Sequence, residues 1–337
     1  MTETTTRTAP RTRPLQAVLD VAAAASLRAP SVLNTQPWRW VVHERSLDLR
    51  ADPARHLTAL DPEGRMLTVS CGAALDHALI ALRTEGYQAR VELLPDAHDP
   101  ELFATIHPAE RRPPTPEDFR RYQTTLRRHT DRRPFGSDPV TDGLVAALTE
   151  AALVHGVHVH VVREDQVPVL AATASAAAAA ELADPAGRAE LARWTHRAPG
   201  AAEGLATDVT VPATARRVHL RPFAEDTEGR LPAGPGDDSG ARYLILWGDR
   251  DGRRAWLRAG QALSAVLLTA AELGLAASPM TDLVEVASTR IQLRRLLSWQ
   301  GHPYAVLRVG VAAADLGVPA AHRRGHDEAV ELERPSS

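Results

Sequence analysis

The chain has 337 residues, about two domain-lengths at ~150 residues each, and its 44% apolar and 24% charged content excludes disorder for the bulk of it. All 39 basic residues are arginine, and against 42 acidic residues they leave a formal charge of −3, so no broad basic field for nucleic acid or membrane exists. The single cysteine, Cys71, excludes a disulfide framework and a multi-cysteine zinc site and fits a reducing, cytoplasmic compartment.

Residues 1–14 are rich in Thr, Arg and Pro and lack an apolar h-region, which reads as a disordered tail and not a signal peptide. No stretch reads as a membrane span; the most apolar one, 169–183, is mostly alanine. Leu15, Val18, Leu19, Ala22, Ala23 and Ser26 recur at helical spacing, and the helix stops at Ala29-Pro30. A loop over 31–37 leads into strands at 39–43 and 46–51. A helix over 66–85 ends at Gly86, and 88–94 alternates as a strand. The Arg- and Pro-rich segment 111–116 reads as a linker.

The second half starts with a short helix before Arg127, then the polar segment 129–135. A helix over 139–153, a strand over 157–162 and an Ala-rich helix over 167–182 follow. Residues 199–240 are polar and rich in Gly, Pro and Asp, too long for an ordinary connection, and read as a lid or insertion. A strand at 242–247, helices at 254–273 and 284–298, and a strand at 304–310 close the pattern. Three divisions result: the tail 1–14, a first half 15–112 and a second half 117–337.

An internal repeat is the most informative feature. Asp61-Pro-Glu-Gly64-Arg65 matches Asp249-Arg-Asp-Gly252-Arg253. In the same register Gly72 matches Gly260, Ala74 Ala262, Leu75 Leu263, Leu79 Leu267 and Gly86 Gly274. Each copy is a turn, a helix and a glycine stop, which points to two related α+β halves fused as a pseudo-dimer.

Two segments carry chemistry. Ala29-Pro-Ser-Val-Leu-Asn-Thr-Gln-Pro-Trp38 places small polar groups between stiffening prolines. Ser31 and Asn34 either hydrogen-bond a planar heterocycle or cap local backbone as a turn. Arg127-Arg-His-Thr-Asp-Arg-Arg133 holds four arginines in seven residues and is either a phosphate grip or a solvated basic turn. Arg323-Arg324 offers the same two readings.

Together these motifs resemble the nitroreductase family. Ala-Pro-Ser-x-x-Asn-x-Gln-Pro-Trp is similar to its FMN-binding loop, and Arg128-His-Thr-Asp-Arg132 to its Arg-x-Ser-x-Arg/Lys motif, with Thr130 replacing serine. The run from Gly260 through Ser278-Pro-Met280 resembles its helix and flavin-facing loop. The likeness runs from about Leu15 onward and is greatest to the tandem, single-chain Acg-type members of actinobacteria.

That resemblance implies an α+β fold of two mainly antiparallel sheets packed with helices. It also implies an FMN-dependent oxidoreductase using NAD(P)H to reduce a nitro compound, quinone or similar small acceptor. Pro30, Ser31, Val32 and Asn34 would flank the flavin ring. Arg128, His129, Thr130 and Arg132 would hold the phosphate, ribityl chain and pyrimidine edge, with Arg132 stabilising the reduced flavin anion. Ser278, Pro279, Met280 and Thr281 would run beside the ring, and Arg323 and Arg324 would touch the phosphate. Asp282 stands where many relatives carry glycine. The loop occurs only in the first half and the arginine motif only in the second, so one complete FMN site is expected.

No catalytic acid or base is named, since water can supply protons. An alternative is a protein that sequesters FMN beneath the 199–240 insertion with little turnover; a flavin-dependent biosynthetic dehydrogenase would share the same site. A monomer is expected, with no nucleic-acid or membrane partner and no metal. Of the remaining features, His155, His158 and His160 could suggest a metal, but the last two alternate with valines and read as the polar face of a strand; Cys71 reads as a buried small residue, and Gly234-Pro-Gly236 as only superficially like a dinucleotide loop.

Overall fold

A computed structural model describes residues 13–195, 197–212, 214, 216–221, 229–314 and 317–333. Most of the expected tail, and parts of the 199–240 segment, lie outside these described residues.

The first part of the chain runs α1 (Leu15–Ser26), β1 (Trp38–Val42), β2 (Leu47–Ala51), α2 (Arg65–Thr84), β3 (Tyr87–Leu93) and β4 (Leu102–Arg111). Then come α3 (Pro116–Arg127), α4 (Asp142–Leu153), β5 (His158–Val161), α5 (Val167–Ala183) and α6 (Pro185–Thr195). The rest is β6 (Arg242–Gly248), α7 (Arg253–Glu272), β7 (Ala276–Pro279), α8 (Asp282–Glu285), α9 (Ala287–Leu296), β8 (His302–Gly310), α10 (His326–Ala329) and β9 (Val330–Leu332).

Local chemistry explains the boundaries that position the site. Thr115 and Asp118 form a reciprocal capping box at the start of α3, with a proline in its first turn. Gly86 and Gly274 follow α2 and α7 with φ of +82° and +74°, the left-handed conformation that lets a chain leave a helix sharply.

The strands form two sheets, ordered β3-β4-β2-β1-β9 and β5-β6-β8-β7. All pairings are antiparallel except that of β9 with β1. Each sheet has its own apolar core: Trp38, Trp40, Leu47 and Leu49 in one, Tyr243, Leu244, Val306 and Leu307 in the other.

The repeat closes on itself in space. α2 and α7 cross where Gly72 meets Gly260. A Cβ on Gly72 would lie 2.1 Å from the Leu257 carbonyl oxygen, and one on Gly260 would lie 2.0 Å from that of Val69. Val69 and Leu257 occupy equivalent repeat positions, so the contact is reciprocal, as in an isologous interface. Ser264 Oγ donates to Asp76 Oδ2 across 188 residues of sequence, again joining equivalent positions. α2 and α7 therefore meet at equivalent repeat positions, on glycines that let backbone approach backbone.

Several expectations are corrected. β4 was not foreseen, because Pro108 and His107 interrupt its alternation; it leaves only a short link before α3. α6 follows directly on α5, with Pro185 as its first residue, where proline needs no donor. The expected helix over 284–298 divides at Val286, whose ψ of 125° is extended. The 276–279 stretch, expected as loop, is strand β7. The chain end, counted with the second half, returns as β9 to complete the first sheet. Two helical stretches, Arg65–Thr84 and 164–183, also reach bilayer length and hydropathy, contrary to the sequence reading. The first is 94% buried, so its apolar surface is spent in the core.

His158 and His160 sit on β5, as the alternation suggests. His158 stacks on Trp247, and His160 Nε2 pairs with Gln166 Oε1 at 3.0 Å. No group of His, Cys, Asp or Glu with metal-holding geometry occurs among the described residues. Cys71 is buried, its thiol directed at the Pro37 carbonyl and pushed far up in pKa by burial.

Candidate functional site

A cleft is lined by the 30–34 loop, by α2 and α7, by the segment after α3 and by the 278–282 stretch. Thirteen of the fourteen residues singled out in the sequence line it: Pro30, Ser31, Val32, Asn34, Arg128, His129, Thr130, Arg132, Ser278, Pro279, Met280, Thr281 and Arg323. α2 contributes Met66, Val69 and Ser70 to its floor and α7 contributes Leu263. Leu205, Val209, Leu220 and Arg221, from the 199–240 segment, form another wall.

The wall at 30–36 is strained. Leu33, Asn34 and Gln36 have φ of 45°, 54° and 50°, a left-handed run that side-chain-bearing residues rarely adopt. Side chains hold it there. Gln36 N donates to Ser31 Oγ at 3.0 Å, and Val32 N donates to Ser70 Oγ at 3.1 Å. Asn34 Nδ2 donates to the carbonyls of Gly204 and His322 at 3.1 and 3.2 Å, while its Oδ1 accepts from Arg323 at 3.0 Å. The Asn34 amide thus fastens three chain segments together. Of the two readings offered by the sequence, the local cap describes Ser31, whereas Asn34 follows neither and ties remote segments to the loop.

Opposite lies the segment after α3. Arg128, Thr130 and Arg132 alternate with buried Asp131 and Arg133, the period of extended chain. Asp131 and Arg133 pair with each other, Nη2 to Oδ2 at 2.7 Å, and the Asp131 amide bonds Ala277 O at 3.0 Å, pinning the segment to β7. That leaves the odd-turn arginines for the cleft. Arg128 is half-buried, yet its Nε and Nη1 are closed to solvent and make no hydrogen bond among the described residues. Burial draws its pKa down to about 10. Arg132, down to about 10 for the same reason, donates to Val209 O at 3.4 Å. Arg323 is lowered to about 9, by burial first and then by the charges of Arg128 and Arg28. Its partners are carbonyls and Asn34, with no carboxylate among the described residues. Among the described residues, the guanidinium groups of Arg128 and Arg323, with that of exposed Arg28 beside them, meet at the cleft with no carboxylate paired to any of the three.

Arg324 departs from its expected role. It is buried outside the cleft lining, and its Nη1 donates to the carbonyls of Gln36 and Trp38 at 3.2 and 3.1 Å while Nη2 donates to that of Glu328. It locks the chain end to β1. On the third wall, the Met280 amide is taken by Val306 O at 2.8 Å, leaving Thr281 as the next backbone donor along the chain.

Lining residues that the sequence reading did not single out include Arg28, the α2 floor, Leu263 and Arg221; Asp282 stood out there only as a departure from glycine. Ser70 left a signal, a hydroxyl on the otherwise apolar face of a buried helix. Met66 and Val69 looked like ordinary core positions.

Residues 125–311 match the model of the Nitroreductase family. Along 317 residues the chain is 36% identical to "Putative NAD(P)H nitroreductase Rv3131" of Mycobacterium tuberculosis, covering 91% of this chain and 89% of that protein. The chain belongs to the nitroreductase family. It is also 33% identical over 316 residues to "Putative NAD(P)H nitroreductase acg" of the same species, covering 92% of this chain and 94% of the relative. Among solved structures, it is similar to the FMN and NADPH-dependent nitroreductase NfnB from Sphigopyxis sp. strain HMH. There the identity is 18%, the coverage 64% of this chain and 99% of that one, and the TM-score 0.41.

FMN is the cofactor that the sequence resemblance implies, and this chain's own donors bear on whether it fits. The orphaned nitrogens of Arg128, and the lack of a paired carboxylate at Arg28, Arg128 and Arg323 among the described residues, suit an anionic group. The strained loop and the α2 floor supply a flat, largely apolar face beside them. The residues fit a phosphorylated planar ring.

Proposed function

We propose that the protein is an FMN-dependent NAD(P)H oxidoreductase acting on a small electron acceptor, with one flavin site built between its two fused halves. The observation that carries this reading is the pair Arg128 and Arg323, with exposed Arg28 beside them, which among the described residues has no balancing carboxylate and adjoins an apolar cleft. Buried unpaired charge is costly, and a phosphate dianion relieves it.

Arg128, Arg323 and Arg28 would hold the phosphate, and Thr130 the chain leading to it. Pro30, Val32 and the Leu33–Asn34 backbone would face one side of the ring. Arg132 would stand at the edge where negative charge develops and stabilise it electrostatically. Met66, Val69, Leu263 and Met280 exclude water from the floor. When bound, FMN supplies two-electron transfer between NAD(P)H and the acceptor.

A second reading has its own observation. Gly204 and Ala202, in the 199–240 segment, are tied to the ring-facing loop through Asn34 and Gln36. A site walled in this way also suits a protein that keeps FMN from reacting. The purified chain mixed with FMN and freed of unbound flavin by gel filtration should stay yellow with a flavin spectrum, and anaerobic NADPH should bleach it rapidly. Persistent colour would favour sequestration, and failure to take up flavin would reject both.

A further inference from the structure

One charged cluster at the cleft is not used by the reading above. Asp282 opens α8 and lines the cleft together with Arg221. It is 2% exposed, and its Oδ2 makes no hydrogen bond among the described residues. Arg221, itself buried, is held by Glu181, with Nε to Oε2 at 3.1 Å and Nη2 to Oε1 at 2.5 Å, and by Glu285 through Nη2. Two buried carboxylates thus pair with one guanidinium, and Asp282 feels its charge without a hydrogen bond to it. Glu285 stands three residues beyond Asp282, on the same side of the helical turn, and its Oε1 is also buried without a partner.

A second cavity lies behind this cluster. Glu181 and Glu285 line it, with Asp61, Glu63 and Arg290. The acidic cluster is therefore the wall between the redox cleft and another opening. We infer that Asp282 is a proton donor to the acceptor reduced in the cleft, and that Glu285 and Glu181 return a proton to it from the second cavity. This rests on the oxidoreductase reading.

The balance is simple. NAD(P)H supplies two electrons and one hydrogen through the flavin. As the acceptor gains them, the Asp282 O–H bond breaks and its proton forms a new bond on the acceptor's oxygen. The carboxylate left behind regains a proton from solvent along the acidic wall.

The surroundings favour a protonated Asp282. Burial pushes its pKa up to about 7; Arg221 opposes the rise, and Glu181 and Glu285 add to it. The other charged groups on packed elements are engaged elsewhere. On α9, Arg290 holds Val284 O, Glu285 O and Glu63, Arg294 lies over Trp299, and Arg295 bonds Gln292. On β8, Arg308 pairs with Asp238, Tyr304 donates to Arg250 O and His302 faces Asp251. α5 contributes only Glu181. An orphaned carboxyl oxygen is far less costly as an uncharged acid than as an anion.

The test compares wild type, Asp282→Asn and Glu285→Gln, each loaded with FMN, reduced by NADPH and then mixed anaerobically with the quinone menadione. Flavin uptake and bleaching should be alike for wild type and Asp282→Asn. Reoxidation by menadione should slow in wild type as pH rises through ~7. In Asp282→Asn it should be ~100-fold slower at pH 6 and flat with pH, the scale of a lost general acid. Infrared spectra of the flavin-free chain should show a carboxylic acid band that titrates near that pH and is absent in Asp282→Asn. Glu285→Gln should move its midpoint down by removing a neighbouring negative charge. Equal reoxidation rates and pH profiles in wild type and Asp282→Asn, or no such band in wild type, would overturn the proton role while leaving the oxidoreductase reading intact. A wild-type chain that takes up no flavin, or is not bleached, would overturn that reading and the proton step together.

Discussion

Replacing Arg128 by methionine should separate stability from binding with opposite signs. The guanidinium lies with Nε and Nη1 closed to solvent and unpartnered, and burial draws it from 12.5 to about 10. At ~1.4 kcal/mol per tenfold, holding that charge in the empty cleft costs about 3 kcal/mol, which an entering phosphate returns. Arg128→Met removes both the cost and the return. The flavin-free variant should therefore melt no lower than wild type, and up to a few degrees higher. Its FMN affinity should fall by ~100-fold. Titration of FMN fluorescence quenching measures the second effect and thermal melts with and without FMN the first. Wild-type affinity within about threefold, or a flavin-free variant that melts markedly lower, would refute the view that this arginine is a charge awaiting an anion.

Two further outcomes follow from the same geometry. Gly260→Ala gains ~1 kcal/mol of helix propensity but drives a methyl against the Val69 carbonyl, 2.0 Å away, which cannot rotate aside. Chemical denaturation should show a net loss of ~2 kcal/mol, and Gly72→Ala should lose about as much because the contact is reciprocal; alanine variants as stable as wild type would contradict the crossing. Arg323→Gln and Arg324→Gln should divide roles. The first should lower flavin affinity ~10-fold with little change in stability. The second should leave affinity within about threefold yet lower stability by ~2 kcal/mol, because buried carbonyls of Gln36, Trp38 and Glu328 lose their donor.

The sequence by itself determined the local elements and the chemistry of the cleft. Helical periodicity marked α1, α2 and α7, because each buries one face and period 3.6 survives any context. The glycine stops and the Asp-x-x-Gly-Arg turns revealed the repeat before any coordinates. The Pro-Ser-x-x-Asn loop and the Arg-x-Thr-x-Arg segment stood out through their joint resemblance to family motifs, since each alone suits a turn as well as a ligand site. Tertiary structure decided everything that depends on which surfaces meet. Only the crossing of Gly72 with Gly260 shows that the repeats face each other. Only burial separates Arg323, with no acid beside it, from Arg324, consumed by backbone carbonyls one residue later. β9 could not be read, since three residues carry no pattern and their pairing with β1 is fixed by the path of the chain. Asp282 looked like a departure from its relatives, and its meaning comes from Arg221, Glu181 and Glu285, which sequence holds far apart and folding brings to one wall. Composition and spacing are properties of a chain, whereas the protonation of a buried acid belongs to the neighbours that exclude its water.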